Sequence, residues 1–92
     1  MSNSKLASVT LISPNKNSPR NKPIDRISIH CFVGQVTAKR GCEVFQPTSK
    51  KASCNYVVGY DGSIGLCVDE GDRSWCTSSP ANDHRAVTIE TA

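Results

Sequence analysis

The chain has 92 residues, is 37% hydrophobic and 21% charged, and carries a formal net charge of +3. That length supports one small domain with a modest core, and no apolar run approaches the ~20 residues that span a bilayer. The basic residues are scattered with no block of five or six, and one Trp, two Tyr and two Phe leave few rings for base stacking; this excludes a nucleic-acid module and leaves a solvated basic face.

Leu6 to Ile12 is too short and too mixed for a secretory apolar region, so the sequence is expected to carry no export signal. Ser8 to Ile12 is β-branched and weakly alternating, which predicts an edge strand. Ser13 to Pro23 holds three prolines and three asparagines and reads as a long loop, a length that in a small domain often serves function. Ile27-Ser28-Ile29-His30 predicts a short strand ending on an imidazole, with Gly34 soon after. Gln35 to Phe45 predicts a short helix, broken near Gly41 and stopped by Pro47.

Two alternating runs, Asn55 to Tyr60 and Ser63 to Val68, flank Asp61-Gly62 and predict a hairpin with a tight I′ turn. Tyr56, Val58 and Tyr60 are expected on one face, and Ile64, Leu66 and Val68 on one face of the partner strand. Asp69 to Asp72 reads as a turn, Arg73 to Cys76 as a short extended piece and Thr77 to Asp83 as a polar loop. Ala86 to Ile89 returns as a strand. The order gives an α/β fold, a mixed central sheet flanked by helices, with too few helices to cover both faces.

Five cysteines, Cys31, Cys42, Cys54, Cys67 and Cys76, contain no Cys-x-x-Cys pair. The odd count and the absence of an export signal predict that most are reduced thiols that pack as small apolar residues.

His30, Tyr56 and Glu90 lie on three separate strands, and their convergence on one sheet edge would make a hydrolytic site. Each has a plainer reading. His30 can be a satisfied strand-end residue, Tyr56 a rim residue, and Glu90 the partner of Arg73 or Arg85. Trp75 suits sheet packing or stacking on a sugar, Asn82 loop closure or glycan contact, and His84 a loop anchor.

Taken in order, Ile27-Ser28-Ile29-His30 with Gly34, Ser53-Cys54-Asn55-Tyr56 with Gly59 and Asp61-Gly62, Trp75, Asn82-Asp83 and Ile89-Glu90 resemble the first two-thirds of a zinc-dependent N-acetylmuramoyl-L-alanine amidase. This is the fold shared by phage lysozyme-like amidases and peptidoglycan-recognition proteins. Asp72-Arg73-Ser74-Trp75-Cys76 and Asn82-Asp83-His84-Arg85 are most similar to the clostridial and clostridial-phage type, although a histidine often stands where this chain has Cys76.

The resemblance implies hydrolysis of the amide between muramic acid and L-alanine of peptidoglycan. It implies zinc (Zn2+) held by His30 and by two ligands from a segment beyond residue 92, Glu90 or Tyr56 as the catalytic group, and Trp75 and Asn82 as substrate contacts. On this reading residues 1–92 are a partial domain with little or no activity of their own. The whole protein would be made in the cytoplasm, act on the cell wall, and carry a cell-wall-binding domain. The competing expectations are a non-catalytic peptidoglycan-binding module and a small disulfide-stabilised extracellular domain.

Overall fold

The computed structural model describes residues 3–92. Seven strands and two helices follow in chain order: β1 Val9–Thr10, β2 Lys16–Asn17, β3 Arg26–Cys31, α1 Ala38–Val44, β4 Tyr56–Val58, β5 Ile64–Leu66, β6 Arg73–Ser74, α2 Pro80–Asp83 and β7 Ala86–Thr91. Five strands form one mixed sheet in the order β1-β5-β4-β7-β3, and β2 pairs with β6 in a separate ribbon. Only β4 and β5 run antiparallel in the main sheet; β1 on β5, β4 on β7 and β3 on β7 are parallel. The expected α/β architecture with a mixed central sheet is the one observed. The last strand, β7, is central, between β4 and β3.

Register sorts the side chains onto two faces, because alternate residues of a strand point opposite ways. Val57 pairs with Gly65 and Glu90, and Glu90 with His30, so this row shares one face. Tyr56 pairs with Leu66 and Ile89, and Ile89 with Ile29, on the other.

Helix α1 packs on the first face. Thr37 caps it by accepting from the Arg40 backbone N–H at 3.2 Å. The predicted break at Gly41 does not occur. A β-carbon there would come within 2.6 Å of Val57 Cγ1, and one at Gly65 within 2.7 Å of Cys42 Sγ, so two glycines let helix and sheet approach closely. Ala38, Cys42, Phe45, Cys54, Val57 and Cys67 form the core beneath.

Cys42 and Cys67 are joined by a disulfide between α1 and the end of the hairpin. Most thiols are free as expected, but close helix-to-sheet packing brings together this one pair, 25 residues apart. Cys31, Cys54 and Cys76 are free.

The turn also differs from expectation. Gly62 N–H donates to the Gly59 carbonyl at 3.0 Å, and Gly62 is left-handed at φ 82° while Asp61 is not. A tight I′ turn needs both. Here residues 59–63 form a longer connection, and Tyr60 leaves the strand for the exposed turn.

The second sheet face is less covered. Ile27 and Ile29 are 67% and 64% exposed, while Tyr56, Val58, Ile64, Val87 and Ile89 line a shallow apolar hollow with Ser4. No helix among the described residues is long and apolar enough to cross a membrane.

Candidate active site

β3 and β7 position the site. Their parallel register places His30 beside Glu90, with His30 Nδ1 3.7 Å from Glu90 Oε1. The His30 side chain is 43% exposed and that of Glu90 14% exposed, so the imidazole faces solvent over a largely sheltered carboxylate. Cys76 completes the group, its thiol donating to Glu90 Oε1 at 3.8 Å. One donor atom from each of His30, Cys76 and Glu90 falls within 4.8 Å of the other two.

Burial sets the protonation of this cluster. It raises the Glu90 carboxyl above its usual range, opposed by the His30 charge and by the Cys76 thiol. Burial first, then the nearby carboxylates of Glu90 and Asp83, push the Cys76 thiol up to about 12. Fully buried Cys54 also stands close enough for Cys76 and Glu90 to add to the rise that burial causes in its own thiol. Glu90 is not the partner of an arginine: Arg85 pairs with Asp25 and Arg73 donates to Asn17 at 2.7 Å.

The segment carrying Cys76 is braced by Asp83. This buried carboxylate accepts from the backbone N–H groups of Cys76 and Thr77, each at 3.2 Å, and from the Thr77 hydroxyl at 2.7 Å. Ser79 caps α2 through the Asn82 N–H, which places Asp83 one turn on, under residues 76–77. Sequence pattern alone points only to Asn82 in this helix, and misses Asp83.

Asn82 ties α2 to the sheet, donating to the Ser28 hydroxyl at 2.9 Å and accepting from Arg26 at 3.1 Å. Beside it opens a cleft of about 570 Å³ lined by Asn21, Lys22, Arg26, Asn82, His84 and Arg85, among others. Arg26, Ser28 and His30 alternate onto the same face of β3, so this cleft and the His30 cluster share one side of the sheet. His84 anchors its loop, accepting from the Asn21 N–H at 3.1 Å. Burial, with the charges of Arg73 and Arg20, holds its pKa below the usual value. Trp75 is half-buried at the end of β6 and spends its indole N–H on Asn17 at 2.8 Å.

Tyr56 does not join the cluster. Its register partner is Ile89, the neighbour of Glu90 on the opposite face. Its hydroxyl donates to Glu70 and accepts from the Ser4 N–H at 2.7 Å. The expected convergence of three residues is therefore a convergence of two, with Cys76 in the third place.

Arg20, one of the scattered basic residues, is a structural hub. Its guanidinium donates to the carbonyls of Glu70, Asp72, Asp83, His84 and Ala86 at 2.7–3.2 Å. Ser13 and Asn15 are likewise buried, donating to the Phe45 carbonyl at the end of α1. The segment read from the sequence as a long loop is thus built into the domain.

No curated protein matches the chain. Among solved structures, a mutant of PlyL is similar in fold, with a TM-score of 0.71 at 13% identity, over 90% of this chain and 56% of that one. The chain thus spans little more than half the length of this structural relative. The sequence model of the family described as N-acetylmuramoyl-L-alanine amidase matches residues 20–92. That stretch begins at the arginine hub and takes in His30, Cys76, the Asp83 brace and Glu90, and covers most of the sequence: the chain belongs to the N-acetylmuramoyl-L-alanine amidase family.

Proposed function

We propose that this chain carries catalytic residues of a cell-wall amidase that hydrolyses the amide between the lactyl group of muramic acid and L-alanine of peptidoglycan. The observation that carries the reading is the 3.7 Å approach of His30 to Glu90 on the face that shares the cleft. The donor chemistry fits zinc: a half-exposed imidazole nitrogen can bind the ion, and a sheltered carboxylate lies beside it. His30 would hold the metal, which supplies Lewis acidity to the scissile carbonyl.

The chain's own residues do the rest. Glu90 accepts the proton of the attacking water and returns it to the departing amine of L-alanine. A carboxyl raised by burial is a stronger base than a free one and still a proton donor, which suits both halves of that exchange. The cations lining the cleft, Lys22, Arg26 and Arg85, match the carboxylates of a stem peptide, and Asn82 would contact the substrate there. Trp75, its N–H already satisfied, offers its ring to a sugar. Tyr56, on the opposite face, takes no part in this scheme.

The test is release of free L-alanine amino termini from muropeptide by the purified protein with added zinc. Slow release, lost in both His30→Ala and Glu90→Gln, is expected. Muropeptide binding with no release under any metal condition would instead favour a non-catalytic binding module.

A further inference from the structure

We propose that His84 is a pH-operated latch on one wall of the cleft beside α2. Its neutral ring holds residues 21–24 in place, and protonation frees them while adding a cation to the cleft. The device goes beyond the amidase reading, since neither its parts nor its test involve His30, Glu90 or a metal.

Residues 21–24 form a strap between two anchors. At one end the Arg20 guanidinium donates to the carbonyls of Asp83, His84 and Ala86 at 3.0–3.2 Å. At the other the Asp25 N–H donates to the Arg85 carbonyl at 2.9 Å. Between them the Asn21 N–H donates to His84 Nδ1 at 3.1 Å. Space lies on both sides of the strap. Asn21 and Lys22 line the cleft of about 570 Å³, while Lys22, Pro23 and Ile24 line a second hollow of about 410 Å³ with Arg20, Glu70 and Gly71. With room on either side, the bond to the ring nitrogen is what restrains the segment between its anchors.

That nitrogen accepts only while it carries no proton. Protonation sets a donor against a donor, and the bond breaks. Burial first, then the charges of Arg73 on β6 and of Arg20 and Lys22 at the strap, oppose a charged ring, while Asp83 on α2 favours it. Arg26 on β3 and Arg85 before β7 line the same cleft and share Asp25 as their carboxylate, and Glu70 and Asp72 act on Arg20. The latch is therefore closed at neutral pH and opens in acid, below the ordinary imidazole value of about 6.5. Opening adds the charge of the ring to those of Lys22, Arg26 and Arg85, so the cleft takes carboxylates more tightly in acid.

Amide hydrogen exchange and N-acetylglycine binding, both followed by NMR from about pH 7.5 to about pH 5, test this across the range in which imidazole titrates and the probe's carboxylate stays ionised. The Asn21 amide should lose protection by about tenfold as the His84 ring titrates, the worth of one hydrogen bond. In His84→Ala that protection should already be missing at neutral pH. In His84→Gln, whose amide oxygen accepts without titrating, it should persist in acid. N-acetylglycine should shift the Lys22 and Arg26 resonances and bind about threefold more tightly below the titration of His84 than above it, the effect of one further exposed charge. Asn21 protection that ignores the titration of His84, or survives in His84→Ala, overturns the latch. The unaltered protein alone decides this if His84→Ala does not fold. Equal affinity for N-acetylglycine at both ends of the range overturns the coupling of the latch to the cleft. Neither result bears on hydrolysis at His30, which release of L-alanine termini measures separately.

Discussion

Tyr56 and Glu90 lie on neighbouring parallel strands, yet their side chains leave the sheet on opposite sides, because Tyr56 pairs with Ile89 and Val57 with Glu90. A shift of one residue in that register would exchange them. The functional consequence is a clean separation. Glu90→Gln should lower amide hydrolysis by about 10²–10⁴-fold, the usual contribution of a general base, while Tyr56→Phe leaves it within about twofold. Release of L-alanine termini by each purified variant measures this, and a large loss in Tyr56→Phe would contradict the assignment of faces.

The same tyrosine makes the fold sensitive to alkali. Burial first, and then the bond to Glu70, raise the Tyr56 hydroxyl to about 12 in the folded chain against about 10 when unfolded. The folded state therefore holds this proton more tightly. Its stabilisation is complete below pH ~10 and is lost as pH rises towards ~12. Urea midpoints between pH 9 and about 12 should fall for the unaltered protein, and Tyr56→Phe should lessen the fall. Parallel curves for the two would show that the hydroxyl is not linked to folding.

The Cys42–Cys67 bridge should contribute about 2–4 kcal/mol by restricting the unfolded chain. Replacing both cysteines with alanine is then expected to lower Tm by about 10 °C or more, given roughly 4–8 °C per kcal/mol for a domain of this size. Calorimetry of the double variant checks this. An unchanged Tm would mean that helix-to-sheet packing around Gly65 needs no covalent link.

Asp83 satisfies two backbone N–H groups and a hydroxyl while itself buried. Asp83→Ala leaves those donors unpaired and should cost about 2 kcal/mol, read as a shift of the urea midpoint at constant slope. Asp83→Asn, which keeps one acceptor oxygen, should cost less.

The elements that the sequence makes legible are those specified by local pattern. β-branched alternation marks β3 and β7. Asp61-Gly62 marks the chain reversal, although not its length. What local pattern cannot carry is register between distant strands, which is why Tyr56 reads as a site residue until its pairing with Ile89 is seen. Long-range polar contacts are equally silent. Nothing near Cys76 announces that Glu90 and His30 will meet it, nor that Asp83 will reach back to its backbone. The disulfide joins residues whose spacing follows no short motif, and odd cysteine counts say nothing about which pair will touch.

Arg20 gathers carbonyls from the turn at 70–72, from the end of α2 and from β7 onto one planar cation. One side chain thus holds three separate elements together from outside the His30 cluster. Lysine could not replace it, since a single ammonium has three donors and no fork. Anyone transplanting this face of the sheet to another scaffold would have to move residues 13–23 along with the strands, because the part that looks most like packaging ties α2, β7 and the end of α1 together.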